Sequence, residues 1–126
     1  IPLREYAKMP YDRDILVRLI VKKEAASFDY QSVRNTQTDF PVLTCAAAKT
    51  EAGYRFAIGA RPGKAVLFEL SNEDMKDKNV ENIAEYAAKG VKEQIVTGSN
   101  TRGSAEYRKH LAGVLVRRAV CKLAGK

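Results

Sequence analysis

The spacing of apolar residues divides the chain into a first part that favours strands and a second part that favours helices. Apolar side chains alternate with polar or small ones in the segments 54–59 and 66–70, and small residues dominate the segment 40–49. This alternation is typical of half-buried strands. Short connections that contain Gly53 and Gly63 separate the three segments. We therefore predict three antiparallel strands joined by tight turns.

Two stretches before these strands are harder to interpret. Residues 15–21 are almost all β-branched residues or Leu, interrupted by Arg18, and this composition predicts a further strand. Residues 25–39 have no clear period and are mostly polar, so we predict an exposed, ordered loop of the kind that can carry function. The charged cluster 12–14 predicts a turn.

After residue 80 the apolar period lengthens from two to nearly four. This change predicts an amphipathic helix over 80–95, with Asn79 as its N-cap and Gly98 as its end. Gly90 weakens a helix by about 1 kcal/mol relative to Ala. We expect this glycine to mark a close approach by another backbone.

A second helix is predicted to begin at Gly103 or Ser104 and to run towards the end of the chain. Its apolar face is expected to hold Tyr107, Leu111, Val114, Leu115 and Ala119, and its basic residues, Lys109, Arg117, Arg118 and Lys122, to face water or a partner. The whole pattern predicts an α+β fold, in which an antiparallel meander of three to four strands is covered on one face by two C-terminal helices.

Length and charge narrow the function classes only slightly. A chain of 126 residues forms one domain, and because it begins with Ile1 we expect it to be part of a larger polypeptide. The net charge of +7 comes from basic residues that are spread along the chain. This favours a solvated basic face or contact with an acidic partner, and leaves a small nucleic-acid-binding module as the alternative. Cys45 and Cys121 are far apart, so we expect free thiols in a cytoplasmic protein.

Candidate chemistry is sparse. His110 is the sole histidine, and we expect it at the surface rather than in a catalytic or metal site. The glycines of the loop 98–103 match no phosphate-binding fingerprint, so a capping loop is the favoured interpretation over a small-anion site. Asp39 and Glu69 have no evident partner for acid–base work. The residues alone do not identify an enzyme.

Two segments resemble the C-terminal domain of the FAD-binding subunit of molybdenum hydroxylases, the xanthine dehydrogenase and carbon monoxide dehydrogenase family. The first is 32–48, SVRNTQTDFPVLTCAAA, where the resemblance lies in Arg34, Asp39, Phe40, Pro41 and Ala46–Ala48. The second is 102–119, RGSAEYRKHLAGVLVRRA, where Ser104, Tyr107, Arg108, Leu115, Arg117 and Ala119 carry it. Segment 14–21 also resembles the strand that closes the family's preceding flavin domain.

The resemblance implies that residues 1–24 are the end of that flavin domain or a linker with its first strand, and that 25–126 are an α+β C-terminal domain. The parent subunit would bind FAD mainly upstream and pass electrons between an iron–sulfur partner and an acceptor such as NAD. A molybdopterin subunit would oxidise the substrate. Because the main FAD site would lie upstream, this chain is expected to bind no FAD by itself.

The same resemblance places the loop after residue 32 close to the flavin edge. Arg34 and Asp39 are therefore the candidate cofactor-binding residues, and no catalytic residue or metal ligand is expected. Family members often carry Lys near position 32, beside the flavin. This chain has Ser32 there, next to the uncharged Gln31.

Overall fold

The computed structural model describes residues 1–10, 15–23 and 25–125. The elements in chain order are α1 Leu3–Tyr6, β1 Ser27–Val33, β2 Leu43–Thr50, β3 Gly53–Gly59, β4 Val66–Ser71, α2 Asn72–Met75, α3 Val80–Gln94 and α4 Ala105–Leu123. The turn predicted at 12–14 lies outside the described residues.

The four strands form one antiparallel sheet in the order β1-β2-β3-β4. Successive side chains along a strand point to opposite faces of the sheet, so every second one faces the helices. In the register of the sheet, Phe56 on β3 lies opposite Ala47 on β2 and Phe68 on β4. Gly53 makes the β2–β3 turn possible, because its φ is +130° and a Cβ there would lie 2.1 Å from the carbonyl oxygen of Leu70. The predicted antiparallel meander is confirmed.

The first strand of the sheet is not the one that the sequence predicted. Residues 15–23 have no regular secondary structure. The strand that precedes the three predicted ones is β1, Ser27–Val33, which lies within the segment predicted to be a loop. The pattern was misleading because β1 turns Asp29 and Gln31 towards the helices, while Phe28 and Tyr30 project to the other, open face of the sheet. The β2 strand also begins later than predicted, at Leu43, because Phe40 and Pro41 belong to the connection.

A polar side chain caps the N-terminus of each long helix. The Asn79 side chain accepts a hydrogen bond from the backbone N–H of Asn82, and the Ser104 hydroxyl accepts one from that of Tyr107. Helix α3 ends at Gln94, four residues before the predicted stop at Gly98. Apart from the backbone of α3 itself, no atom of the described residues lies within 4 Å of the position that a Cβ would take on Gly90. The predicted close approach of a backbone at Gly90 is therefore wrong.

The core lies between the helix pair and one face of the sheet. Helix α4 crosses β1, β2 and β3, and α3 packs along α4. Completely buried side chains from both layers meet there, among them Leu43, Phe56, Ile58, Leu115 and Val116. Tyr107, predicted on the apolar face of α4, is half exposed. Two helices thus cover one face, as predicted.

Candidate functional site

The two candidate cofactor-binding residues lie in the connection between β1 and β2. The Arg34 guanidinium folds back over this connection: Nη1 donates to the carbonyl oxygen of Asp39 at 2.6 Å, and Nε donates to the Ser32 hydroxyl at 3.1 Å. The backbone N–H of Phe40 donates to the Asp39 carboxylate at 2.7 Å. The structure therefore brings Arg34 and Asp39 together in one ordered turn, while Arg34 stays exposed to solvent.

A third residue, Arg102, which is 63 residues later in the chain, binds the Asp39 carboxylate. Its Nε lies 3.0 Å from both carboxylate oxygens of Asp39, and its Nη2 lies 2.7 Å from Oδ1. These hydrogen bonds, above all others, hold the pKa of the Asp39 carboxyl below its ordinary value, and the N–H of Phe40 adds to the effect. A carboxylate that is paired in this way is a poor general base. Asp39 thus has an ion-pair partner, Arg102, that the sequence did not indicate, and a guanidinium is not a partner for acid–base work.

The same guanidinium lies against an exposed aromatic ring. The Cζ atom of Arg102 is 5.3 Å from the ring centroid of Phe40, whose exposed fraction is 74%. One region of the surface thus presents the Phe40 ring, with the Arg102 guanidinium against it, beside the free N–H groups of Arg34. We call Arg34, Asp39, Phe40 and Arg102 the arginine cluster.

A buried arginine attaches both segments of the arginine cluster to the core. The side chain of Arg108 is fully buried on α4, and its Nε donates to the carbonyl oxygen of Val42 at 2.9 Å. Its other nitrogens donate to the carbonyl oxygens of Gly98 and Gly103 and to the side chain of Asn100. Burial lowers the pKa of this guanidinium, and four acceptors compensate for the lost hydration.

The loop 98–104 caps the N-terminus of α4 and supplies hydrogen-bond acceptors for Arg108. The hydroxyl of Ser99 accepts a hydrogen bond from the backbone N–H of Ala105 at 2.8 Å, and Ser104 accepts that of Tyr107. Three of the four N–H groups in the first turn, those of Ala105, Tyr107 and Arg108, are therefore already paired. The geometry favours the capping interpretation of this loop over the small-anion interpretation.

A second polar contact fixes β1 to α4 near the position where family members often carry Lys. The amide of Gln31 donates to Asp29 at 2.7 Å and to the carbonyl oxygen of Leu115 at 3.2 Å, so it is directed towards the helix. The Asp29 carboxylate is 1% exposed and pairs with Lys122. Lys122 is itself 70% exposed, as predicted, and its ammonium group also neutralises this buried carboxylate.

The remaining candidates are solvent-facing. Glu69, for which no acid–base partner was evident, forms ion pairs with two arginines, Arg4 at 2.9 Å and Arg55 at 3.2 Å. His110 is exposed on α4, as predicted. The described residues contain no group of three or more His, Cys, Asp or Glu side chains placed to hold a metal ion. Within the same residues, no helix combines the length and the apolar character needed to cross a bilayer.

Sequence comparison matches most of the chain to one family. Residues 28–123 match the family described as CO dehydrogenase flavoprotein C-terminal domain. The "Uncharacterized protein YgfM" of Escherichia coli K12 is 30% identical over 127 residues, which cover 98% of this chain and 46% of the relative. Its counterpart from Escherichia coli O157:H7 gives the same values. The chain thus spans about half the length of these curated relatives.

Solved structures share the fold. Quinoline 2-oxidoreductase from Pseudomonas putida 86 aligns with a TM-score of 0.65 at 21% identity, over 80% of this chain and 38% of that one. Carbon monoxide dehydrogenase from Hydrogenophaga pseudoflava, in a form that lacks the Mo-pyranopterin moiety of its molybdenum cofactor, aligns with a TM-score of 0.61 at 17% identity, over 82% and 38% of the two chains. The family match, its extent and the shared four-stranded fold agree with the resemblance in the sequence: this chain belongs to the CO dehydrogenase flavoprotein C-terminal domain family.

Proposed function

We propose that this chain is the C-terminal domain of the FAD-binding subunit of a molybdenum hydroxylase-type oxidoreductase. In this role it supports flavin-mediated electron transfer and catalyses no step itself. The observation that carries the proposal is the arginine cluster, an ordered and exposed surface in a chain of this family. Its rigidity comes from Arg102 and Arg108, which tie it to α4.

The groups in the arginine cluster fit one edge of a flavin. The Arg34 guanidinium keeps N–H donors that suit the carbonyl oxygens and ring nitrogen of the pyrimidine edge. The open face of Phe40 suits a planar ring. Asp39 is engaged by Arg102, so its role in the proposal is to position Arg102 and Phe40. When bound in the parent subunit, FAD supplies the electron-transfer chemistry.

Arg34 takes the place of the lysine that family members often carry. Gln31 is uncharged and bonded to Leu115, and Ser32 accepts a hydrogen bond from Arg34. Neither residue brings a cation to the flavin edge. A guanidinium is permanently charged, so Arg34 favours electron density on the flavin, as a lysine would.

Residues 1–24 belong, in this proposal, to the preceding flavin domain or a linker, and 25–126 form the C-terminal domain. The side chains of Ile15, Val17 and Val21 are each at least 86% exposed. An apolar stretch in water is costly, and association with another domain removes that cost. The partners are the upstream flavin domains and the iron–sulfur and molybdopterin subunits. The acceptor is one such as NAD, and the location is cytoplasmic.

Flavin binding tests the proposal. The 126-residue chain, mixed with FAD and passed through a desalting column, is expected to retain none, because the main site lies upstream. In the full-length subunit, Arg34→Ala should weaken FAD binding about tenfold, the effect of losing one charge-assisted hydrogen bond. The matched control is Lys109→Ala on exposed α4, which should leave binding unchanged. Stoichiometric flavin on the 126-residue chain would contradict the proposal.

The net charge of +7 keeps one alternative, a module that binds nucleic acid or an acidic protein. Such binding weakens steeply as salt rises, because counterions are released from the polyanion. A titration of labelled RNA at 50 and 200 mM salt separates the two functions. We expect no RNA binding to the folded chain at either salt concentration.

A further inference from the structure

A groove lined by basic residues lies between the N-terminal segment and the β3–β4 connection. Arg4 and Lys8 approach it from α1 and the residues just after, and Arg61 and Lys64 approach it from the connection. The cavity is about 540 Å³, and Glu69 is the acidic residue among those lining it. We call this the α1 groove. It uses none of the residues of the arginine cluster.

Two basic side chains of the α1 groove, Arg61 and Lys64, are held in place by contacts that leave donors free. Arg61 donates through Nε to the carbonyl oxygen of Lys64 at 2.7 Å and through Nη1 to that of Val96 at 2.6 Å. The Nζ atom of Lys64 donates to the carbonyl oxygen of Met9 at 2.6 Å. An arginine has five N–H donors and a lysine three, so both retain unused donors.

The charge of the α1 groove is poorly compensated by its own lining. Four cationic side chains face one carboxylate, and Glu69 is already shared between Arg4 and Arg55, which lies outside the groove. In the part of the chain that the structure describes, the ammonium group of Lys8 has no hydrogen-bond or ion-pair partner. Like charges gathered around a cavity repel one another and raise the local concentration of anions.

The backbone beside the groove is held in an uncommon conformation. Ala60 has a φ of +57°, in the left-handed region that residues with a Cβ rarely adopt. Such strain persists where the surroundings fix it, and here the two carbonyl contacts of Arg61 hold the connection. Arg61 is thereby fixed beside the groove, while the side chain of Lys64 extends to the N-terminal segment, where it donates to the carbonyl oxygen of Met9.

We propose that the α1 groove binds a small oxyanion with several negative charges, of the diphosphate type. A cavity of 540 Å³ is larger than a single phosphate requires, and its four cationic side chains are enough to serve more than one phosphoryl group. Charge-assisted hydrogen bonds from arginine and lysine are the usual means of binding such groups. This site is independent of the proposed contact with FAD and adds a ligand to the domain.

Calorimetric titration of the 126-residue chain with inorganic pyrophosphate at 50 mM salt tests the proposal. We expect saturable binding at one site, weakened at least tenfold by Lys8→Glu and by Lys64→Glu. The matched control, Lys109→Glu, changes the net charge equally but lies on α4, and should alter the affinity less than twofold. Lys8 makes no contact that the fold needs, so its variant is expected to stay folded, which circular dichroism checks.

Two further ligands identify the source of the anion. Tighter binding of ADP than of pyrophosphate, with the same loss in Lys8→Glu, supports the site and assigns it to a nucleotide. Binding of oligoglutamate without binding of pyrophosphate would overturn the proposal in favour of an acidic polypeptide. Equal weakening by Lys109→Glu and Lys8→Glu would also overturn it, because the effect would then reflect net charge alone.

Discussion

Replacement of the buried Arg108 by Met tests the central connection of the molecule. The variant keeps an unbranched side chain but removes every hydrogen bond of the guanidinium. It leaves the carbonyl oxygens of Val42, Gly98 and Gly103 and the side chain of Asn100 without their donor. A buried acceptor without a partner costs about 1–3 kcal/mol.

The loss should be smaller than four such costs added together. The carbonyl oxygens of the loop 98–104 can form hydrogen bonds with water once the loop moves away from α4. Val42 is completely buried, so its carbonyl oxygen cannot. We therefore expect Arg108→Met to lower the free energy of unfolding by about 2–4 kcal/mol, because the Val42 carbonyl and some of the loop acceptors stay buried without a donor. Arg108→Lys should lose nearly as much, since one ammonium group cannot reach acceptors on several sides.

Urea denaturation followed by far-UV circular dichroism measures this loss. Arg118→Met is the control on the same helix: its side chain is exposed, and we expect a change within about 0.5 kcal/mol. A loss of less than about 1 kcal/mol in Arg108→Met would refute the reasoning, because the guanidinium would then contribute little to holding the loop.

Three other perturbations give independent checks. Gly90→Ala should stabilise the chain by about 0.5–1 kcal/mol in the same urea assay, because a methyl group there meets empty space; destabilisation would mean that the site is crowded. Lys122 holds the pKa of Asp29 below its ordinary value, so this carboxylate stabilises the fold above about pH 4 and the contribution is lost as the pH falls through the lowered pKa. Acid titration of Asp29→Asn should show a shallower loss of stability than wild type, while exposed Glu51→Gln should match wild type. Burial raises the pKa of the Cys45 thiol to about 12, so Ellman's reagent at pH 8 should not modify Cys45 until urea unfolds the chain; rapid reaction of Cys45 in the native protein would contradict its burial.

The inner part of the fold could be predicted because one physical requirement governs it. The strands β3 and β4 and the helix α3 each bury one face, so their apolar residues recur with the period of the element. The pattern at β1 gives no such signal. Its inward residues are polar, and Asp29 is satisfied by Lys122, which is 93 residues away. A contact at that separation has no trace in local spacing.

The arginine cluster was only half predictable for a similar reason. The resemblance pointed to Arg34 and Asp39, but nothing in the local sequence joins Asp39 to Arg102, 63 residues later. Arg108 did leave a signal that could have been used. It is three residues before Leu111 and seven before Leu115, so helical periodicity places it on the buried face of α4. An arginine at such a position requires internal acceptors.

The exposed stretch Ile15–Val21 has a consequence for handling the chain in isolation. Seven residues of high β-propensity with one charge are the composition of segments that self-assemble into fibrils when they are left uncovered. Arg18 is the single charged residue in this stretch and acts as its gatekeeper against such stacking. The resistance of the isolated chain to aggregation in concentrated solution will therefore depend on Arg18, a solvent-exposed side chain outside the sheet and the helices.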